Sequence, residues 1–164
     1  MPERLEALLQ HLGHHLRGEN VCQLTLPELG ALVVVAGNEA GFQVELEVAC
    51  GPANRHAIDC GWYTPKVGPM PRRMIVAWEF DGRDAKDQHL LGDAKRLGTL
   101  VKLCGCDAPI KIEALYTIRN GVLPNVQAAR PQFQAAGIRV LSDEELMTGA
   151  LLQILGEAVL HLHD

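Results

Sequence analysis

No apolar run in this chain approaches the roughly 20 residues needed to cross a bilayer; the longest, ALVVVA at 31–36, is far shorter. The sequence therefore carries no transmembrane span. MPERLEALL at the start contains acids and lacks a long apolar core, so it does not resemble a secretory signal, and the expected location is cytoplasmic. Positive charge is also scarce. A formal net charge of −5 excludes a protein that coats nucleic acid by charge alone, although a local basic groove stays compatible with it. Cysteines number five, an odd count in mostly apolar contexts (Cys22, Cys50, Cys60, Cys104, Cys106), which fits reduced buried thiols better than a disulfide framework. Cys104 and Cys106 are the only close pair, with no second pair at zinc-ligand spacing. GxGxxG, GxxxxGK(S/T), HExxH and GxSxG are all absent, which leaves nucleotide-binding, zincin and serine-hydrolase readings without support.

What is present is a chain of 164 residues, 48% hydrophobic and 21% charged, as expected of one globular domain spanning 1–164 with a real core. Its organising stretch is MIVAWEFDGRDAKDQHLLGDAKRLGTLVKL, 74–103, a β-run that passes through Gly82 toward a helix. Strand alternation places Ile75, Ala77, Glu79 and Asp81 on one face, and Val76, Trp78 and Phe80 on the other. Two carboxylates therefore point the same way in apolar surroundings. Like charges so placed call for a cation, and a divalent metal satisfies both at once.

Before this stretch, Leu5, Leu8, Leu9, Leu12 and Leu16 make a helical stripe over 3–16, and His11, His14 and His15 fall on its last turns as a solvated group. VCQLTL, ALVVVAG and FQVELEVACG look like strands, the last with Phe42, Val44, Leu46 and Val48 inward and Glu45 and Glu47 outward. HAIDCGWYT follows as a strand with Ile58, Cys60 and Trp62 on one face and the lone acid Asp59 on the other. The Pro- and Gly-rich loop PKVGPMPRR then returns the chain, which puts Asp59 and Glu79 on adjacent strands. After Gly82 a helix is expected from about Asp84, its sheet-facing stripe being Leu90, Ala94, Leu97, Val101 and Cys104, with Lys86 in its first turn near the acids. IKIEALYTI gives a further strand parallel to the first of a β-α-β unit. The segment 124–136 reads as a short helical connection interrupted by Pro131, and GIRVL as a brief strand. Ser142 and Glu145 form a capping box for a last helix, 143–162, whose apolar residues on several sides suggest a dimer interface.

Helix, antiparallel strands, then strand-helix-strand, with Asp59 in HAIDCGWYT and Glu79 in IVAWEFDG, resembles the PD-(D/E)XK nuclease superfamily over roughly 55–141. The resemblance implies a restriction endonuclease-like α/β fold, a mixed central β-sheet flanked by helices. It implies that Asp59 and Glu79 match the family's two acids, which together hold Mg²⁺ or Mn²⁺ and activate a water. Asp81 stands where the family usually has lysine, and it would serve as an extra metal ligand or a base. Some relatives carry that lysine on the next helix, which makes Lys86 the candidate here and Arg83 the second.

On this resemblance the expected function is a metal-dependent phosphodiesterase acting on DNA in preference to RNA. Asp59, Glu79, Asp81 and Lys86 would be catalytic, the three acids would bind metal, and Arg72, Arg73, Arg83 and Arg119 would contact phosphates. The alternative is a catalytically inactive, homodimeric binding or assembly module on the same fold, which the acidic charge and the missing lysine favour.

Overall fold

The computed structural model describes residues 26–84, 93–118 and 130–162, together with Glu3 and Ala7. In chain order come helix α1 (Leu26–Glu39), strands β1 (Gln43–Cys50), β2 (His56–Tyr63) and β3 (Met74–Asp84), helix α2 (Asp93–Cys104) and strand β4 (Ile110–Ile118). A short helix α3 (130–135), strand β5 (Ile138–Ser142) and a broken C-terminal helical segment complete it. The strands form one mixed sheet in the order β1-β2-β3-β4-β5. β2 runs antiparallel to both of its neighbours, β1 and β3, whereas β3, β4 and β5 run parallel. This is an α/β architecture. Among the described residues no helix is long and apolar enough to cross a membrane.

Helices cover both faces of the sheet. On one, Leu29, Leu32, Val33 and Ala36 of α1 and Leu151, Ile154, Leu155 and Ala158 pack on Cys60, Trp62, Val76, Trp78, Ile112 and Ala114. Phe42, Trp62, Trp78 and Phe80 run as a chain of rings through this layer, with successive centroids 5.5, 5.3 and 6.5 Å apart. On the other, Leu103 of α2 and Phe133 of α3 pack on Ala77, Leu115, Ile138 and Val140.

Residues 31–36, expected as a strand, are instead the middle of α1. A short apolar run does not reveal its period by itself. The decisive feature is the wider spacing: Leu29, Leu32, Val33 and Ala36 recur at helical intervals and are all fully buried. Burial against the sheet thus overrides the modest helix cost of three consecutive valines. Gly41, at φ 95, ends the helix, and the Phe42 N–H reaches back to the Gly37 carbonyl. Most of VCQLTL, and the rest of 3–16 beyond Glu3 and Ala7, lie outside the described residues, as do the histidines at 11, 14 and 15.

The strict alternation expected in β1 and β2 fails at one level. Their ladder omits the Glu47–Asp59 pair, and Glu47 takes the left-handed φ of 51. Before this point Val44, Cys60 and Trp62 pack with α1; beyond it Val48, Cys50 and Ile58 belong to the α2 side. Leu46, expected inward, is exposed. The hairpin thereby folds over the sheet until Gly51 meets Gly105, where a Cβ on Gly105 would lie 3.2 Å from the Gly51 Cα. A register shift opposite Trp62 and Tyr63 turns Ile75 to the α1 face as well, away from Ala77.

Three further expectations change. β3 continues to Asp84, where the helix was expected to begin. Pro131 lies within the helical stretch 130–135 and does not interrupt it. The capping box of Ser142 and Glu145 is present, but the expected helix over 143–162 breaks at Gly149 (φ 135) into a one-turn helix, a wide turn and α4 (Leu151–Leu160). Most of its apolar residues fill the α1-side core, and Leu152 and Leu160 are exposed.

Gly37 lies where α1 crosses Trp62: a Cβ there would stand 2.6 Å from the indole Nε1 and 2.7 Å from Val44 Cγ2. Gly37→Ala should therefore destabilise the fold by about 1–3 kcal/mol through overpacking. Gly30→Ala, with open space around the new methyl, should be neutral or stabilising by up to about 1 kcal/mol. Urea unfolding of both variants measures the difference.

A candidate acid and lysine site

The site begins where the β2–β3 ladder stops. Cys60 opposite Trp78 is its last backbone pair toward the acid end. From there two carboxylates continue the connection. The Asp59 N–H donates to Glu79 Oε1 at 3.1 Å, and the Phe80 N–H donates to Asp59 Oδ2 at 2.7 Å. Each acid thus accepts a backbone proton from the other's strand. These bonds satisfy N–H groups that the departing hairpin leaves without ladder partners.

The positive charge comes from α2. Lys102 Nζ lies 3.5 Å from Glu79 Oε2, a half-exposed amine against a nearly buried carboxylate. Lys102 was not anticipated, because the stripe through Leu97, Val101 and Cys104 was expected to face the sheet. It faces outward: Leu97 is 62% exposed and Val101 45%. Over 97–104, Thr99 and Leu103 are the buried positions, with Leu100 packed beside them. That second stripe, at spacings of three and four, was the signal available in the sequence.

Burial pushes Glu79 up to about 7, the nearby Asp59 charge adds to this, and Lys102 and the Asp59 N–H oppose it. Asp59 is raised as well, chiefly by burial and further by Glu47 and Asp81, against the Phe80 hydrogen bond and Lys102. Asp81 is buried two residues along the same face of β3, opposite Leu115 of β4. Glu113, fully buried on β4, is the register partner of Glu79, so both glutamates rise from the α2 face of the sheet. It too was missed, although the alternation in IKIEALYTI places it with Lys111 and Leu115.

The structure brings Asp59 and Glu79 together as expected of neighbouring strands. Among the described residues, however, no group of three or more His, Cys, Asp or Glu is placed to hold one metal ion. The set Asp59, Glu79 and Asp81 is thus not gathered around one point, because Asp59 and Glu79 turn to each other's strands. Two carboxylates still match the donors of Mg²⁺, which commonly takes one or two of them and completes its shell with water and substrate phosphates. Asp59 Oδ1 and Glu79 Oε2 are the oxygens not engaged by the two backbone N–H groups.

Of the proposed phosphate contacts, Arg72 pairs with Glu45 at 2.6 Å and stacks over Tyr63, 4.3 Å from the ring centre. Arg73 donates to the His161 carbonyl at 3.3 Å. Both precede β3, about 20 Å before Glu79 at strand rise, so the structure does not bring them to the acids. For Arg83 the described structure covers only the backbone, at the far end of β3. Lys86 and Arg119 lie outside the described residues. Compared with known proteins, the chain matches no protein-family model, no curated protein and no solved structure.

The raised Glu79 sets a pH signature. Between about pH 4.5 and 7 the native state keeps a proton that the unfolded chain has released, so this group's contribution to stability falls as pH rises across that window. Glu79→Gln, which mimics the protonated acid, should match wild type near pH 4.5 and exceed it by about 3 kcal/mol at pH 8. Urea midpoints for both proteins from pH 4.5 to 8 test this.

Proposed function

We propose that the protein is a metal-dependent phosphodiesterase of the PD-(D/E)XK type, acting on DNA in preference to RNA, with Asp59, Glu79 and Lys102 as its working groups. The observation that carries this is that an acid from β2 and an acid from β3 lie across one strand junction, with a lysine from the following helix paired to the second. Three antiparallel strands, a helix and a strand parallel to the third also match the element order that the resemblance implies. Lys102 here takes the part first assigned to Lys86.

Asp59 and Glu79 would hold Mg²⁺ or Mn²⁺, which when bound polarises the phosphoryl oxygen and lowers the pKa of a water. The chain's own residues do the rest. Lys102 places a positive charge beside Glu79, where it offsets charge building on a phosphate and favours the ionised acid. Asp81, close enough to raise Asp59, adds negative potential that favours a cation over none.

A second reading has its own observation. Asp59 and Glu79 already accept backbone hydrogen bonds across the strand junction, as a purely structural staple would. In that case the chain is an inactive binding or assembly module, homodimeric on the earlier expectation.

Plasmid and single-stranded DNA incubated with the protein and millimolar Mg²⁺ or Mn²⁺ separate the two. Wild type should cleave, and Glu79→Gln and Lys102→Met should each be slower by roughly a hundredfold or more. Equal rates for wild type and Glu79→Gln overturn the enzyme reading, and calorimetry without detectable metal binding supports the staple.

A further inference from the structure

Away from the acids, the folded-over hairpin tip, the turn after α2 and the start of β3 line an open cleft of about 750 Å³. Its walls include Cys50 and Cys106, more than fifty residues apart in the chain. The two strands of chain touch through Gly51 and Gly105, whose backbones approach because neither carries a side chain: a Cβ on Gly51 would lie 3.4 Å from the Gly105 carbonyl oxygen. Cys50 precedes the first glycine and Cys106 follows the second, so the contact falls one residue from each thiol. Both sulfurs also point to the same helical turn. Cys50 Sγ donates to the Lys102 carbonyl at 3.5 Å, and Cys106 Sγ donates to the adjacent Leu103 carbonyl at 3.0 Å. Each is nearly buried in its protein surroundings, at 7% and 6% exposure, yet each lines the cleft.

We propose that Cys50 and Cys106 are a redox pair, which a low-molecular-weight disulfide converts to an intramolecular bridge fastening the hairpin tip to the helix end that carries Lys102. The thiolate of one cysteine attacks the reagent's S–S bond and releases one reagent thiol. The second cysteine then attacks the mixed disulfide and releases the other. One protein S–S bond forms, one reagent S–S bond breaks, and the two protein thiol protons end on the two reagent thiols or in solvent. Burial raises both thiols above their ordinary values, so exchange accelerates as pH rises and more thiolate is present. Cys104, exposed and two residues from Cys106, is a competing thiol among the described residues. The inference stands apart from the phosphodiesterase proposal.

The test uses the folded wild-type chain incubated with oxidised glutathione at pH 8, then alkylated and digested without reduction for mass spectrometry. The expected product is a monomer, two hydrogens lighter, with Cys50 and Cys106 peptides joined. Its melting temperature should rise by about 5 °C and return on reduction. Cys50→Ala and Cys106→Ala should each abolish the bridge, and Cys104→Ala should retain it. A Cys104–Cys106 bridge, glutathione adducts without a bridge, or bridging only in denaturant would overturn the proposal. The wild-type peptide map decides alone if an alanine variant does not fold.

Discussion

The exchange of backbone hydrogen bonds between Asp59 and Glu79 is the constraint on which the rest of the molecule turns. Past Cys60 and Trp78 the second and third strands have no further ladder pairing, and buried N–H groups without acceptors would cost about 1–3 kcal/mol each. Two side-chain carboxylates accept those protons across the gap. Because they hold the strands together there, the first hairpin is free to leave the plane of the sheet at Glu47. It folds over the α2 face until its tip rests on Gly105.

This arrangement has an electrostatic consequence. Acids that bridge strands inside a half-buried fold are removed from water, and burial raises both of them. Lys102 compensates Glu79 directly and also lowers Asp59. On the proposed reading a divalent cation and a phosphate ester complete this site, and on the structural reading Glu79 holds its proton instead. Staple and catalytic centre are thus two uses of one geometry, and they differ in whether a cation replaces that proton.

The orientation of α2 follows from the same need. The helix offers two stripes, one through Leu97, Val101 and Cys104 and another through Thr99, Leu100 and Leu103. Turning the second toward the sheet buries Leu103 against the layer that contains Ala77 and Leu115, and brings Lys102 to Glu79. The first stripe then faces outward, at the cost of two exposed apolar side chains. Charge and fit at the acid end therefore decide between two stripes of comparable hydrophobicity.

Strand alternation and turn chemistry are local, and they were legible in the chain itself: the strand bearing Glu79 and Asp81, its antiparallel neighbour bearing Asp59, the parallel return at 110–118 and the capping box at Ser142. Each depends on residues a few positions apart. The tertiary structure decided the rest. Residues 31–36 became helix because a sheet face was there to bury Leu29, Leu32, Val33 and Ala36, and no short window of sequence contains that face. Val48 and, across the ladder, Ile58 changed sides because a single left-handed residue, Glu47 of β1, twisted the hairpin. Lys102 and Glu113 entered the site through a helix rotation and a parallel register, both set by packing between segments distant in sequence. A sequence states which side chains share a strand or a helix turn, and only the packed core states which of those faces looks inward.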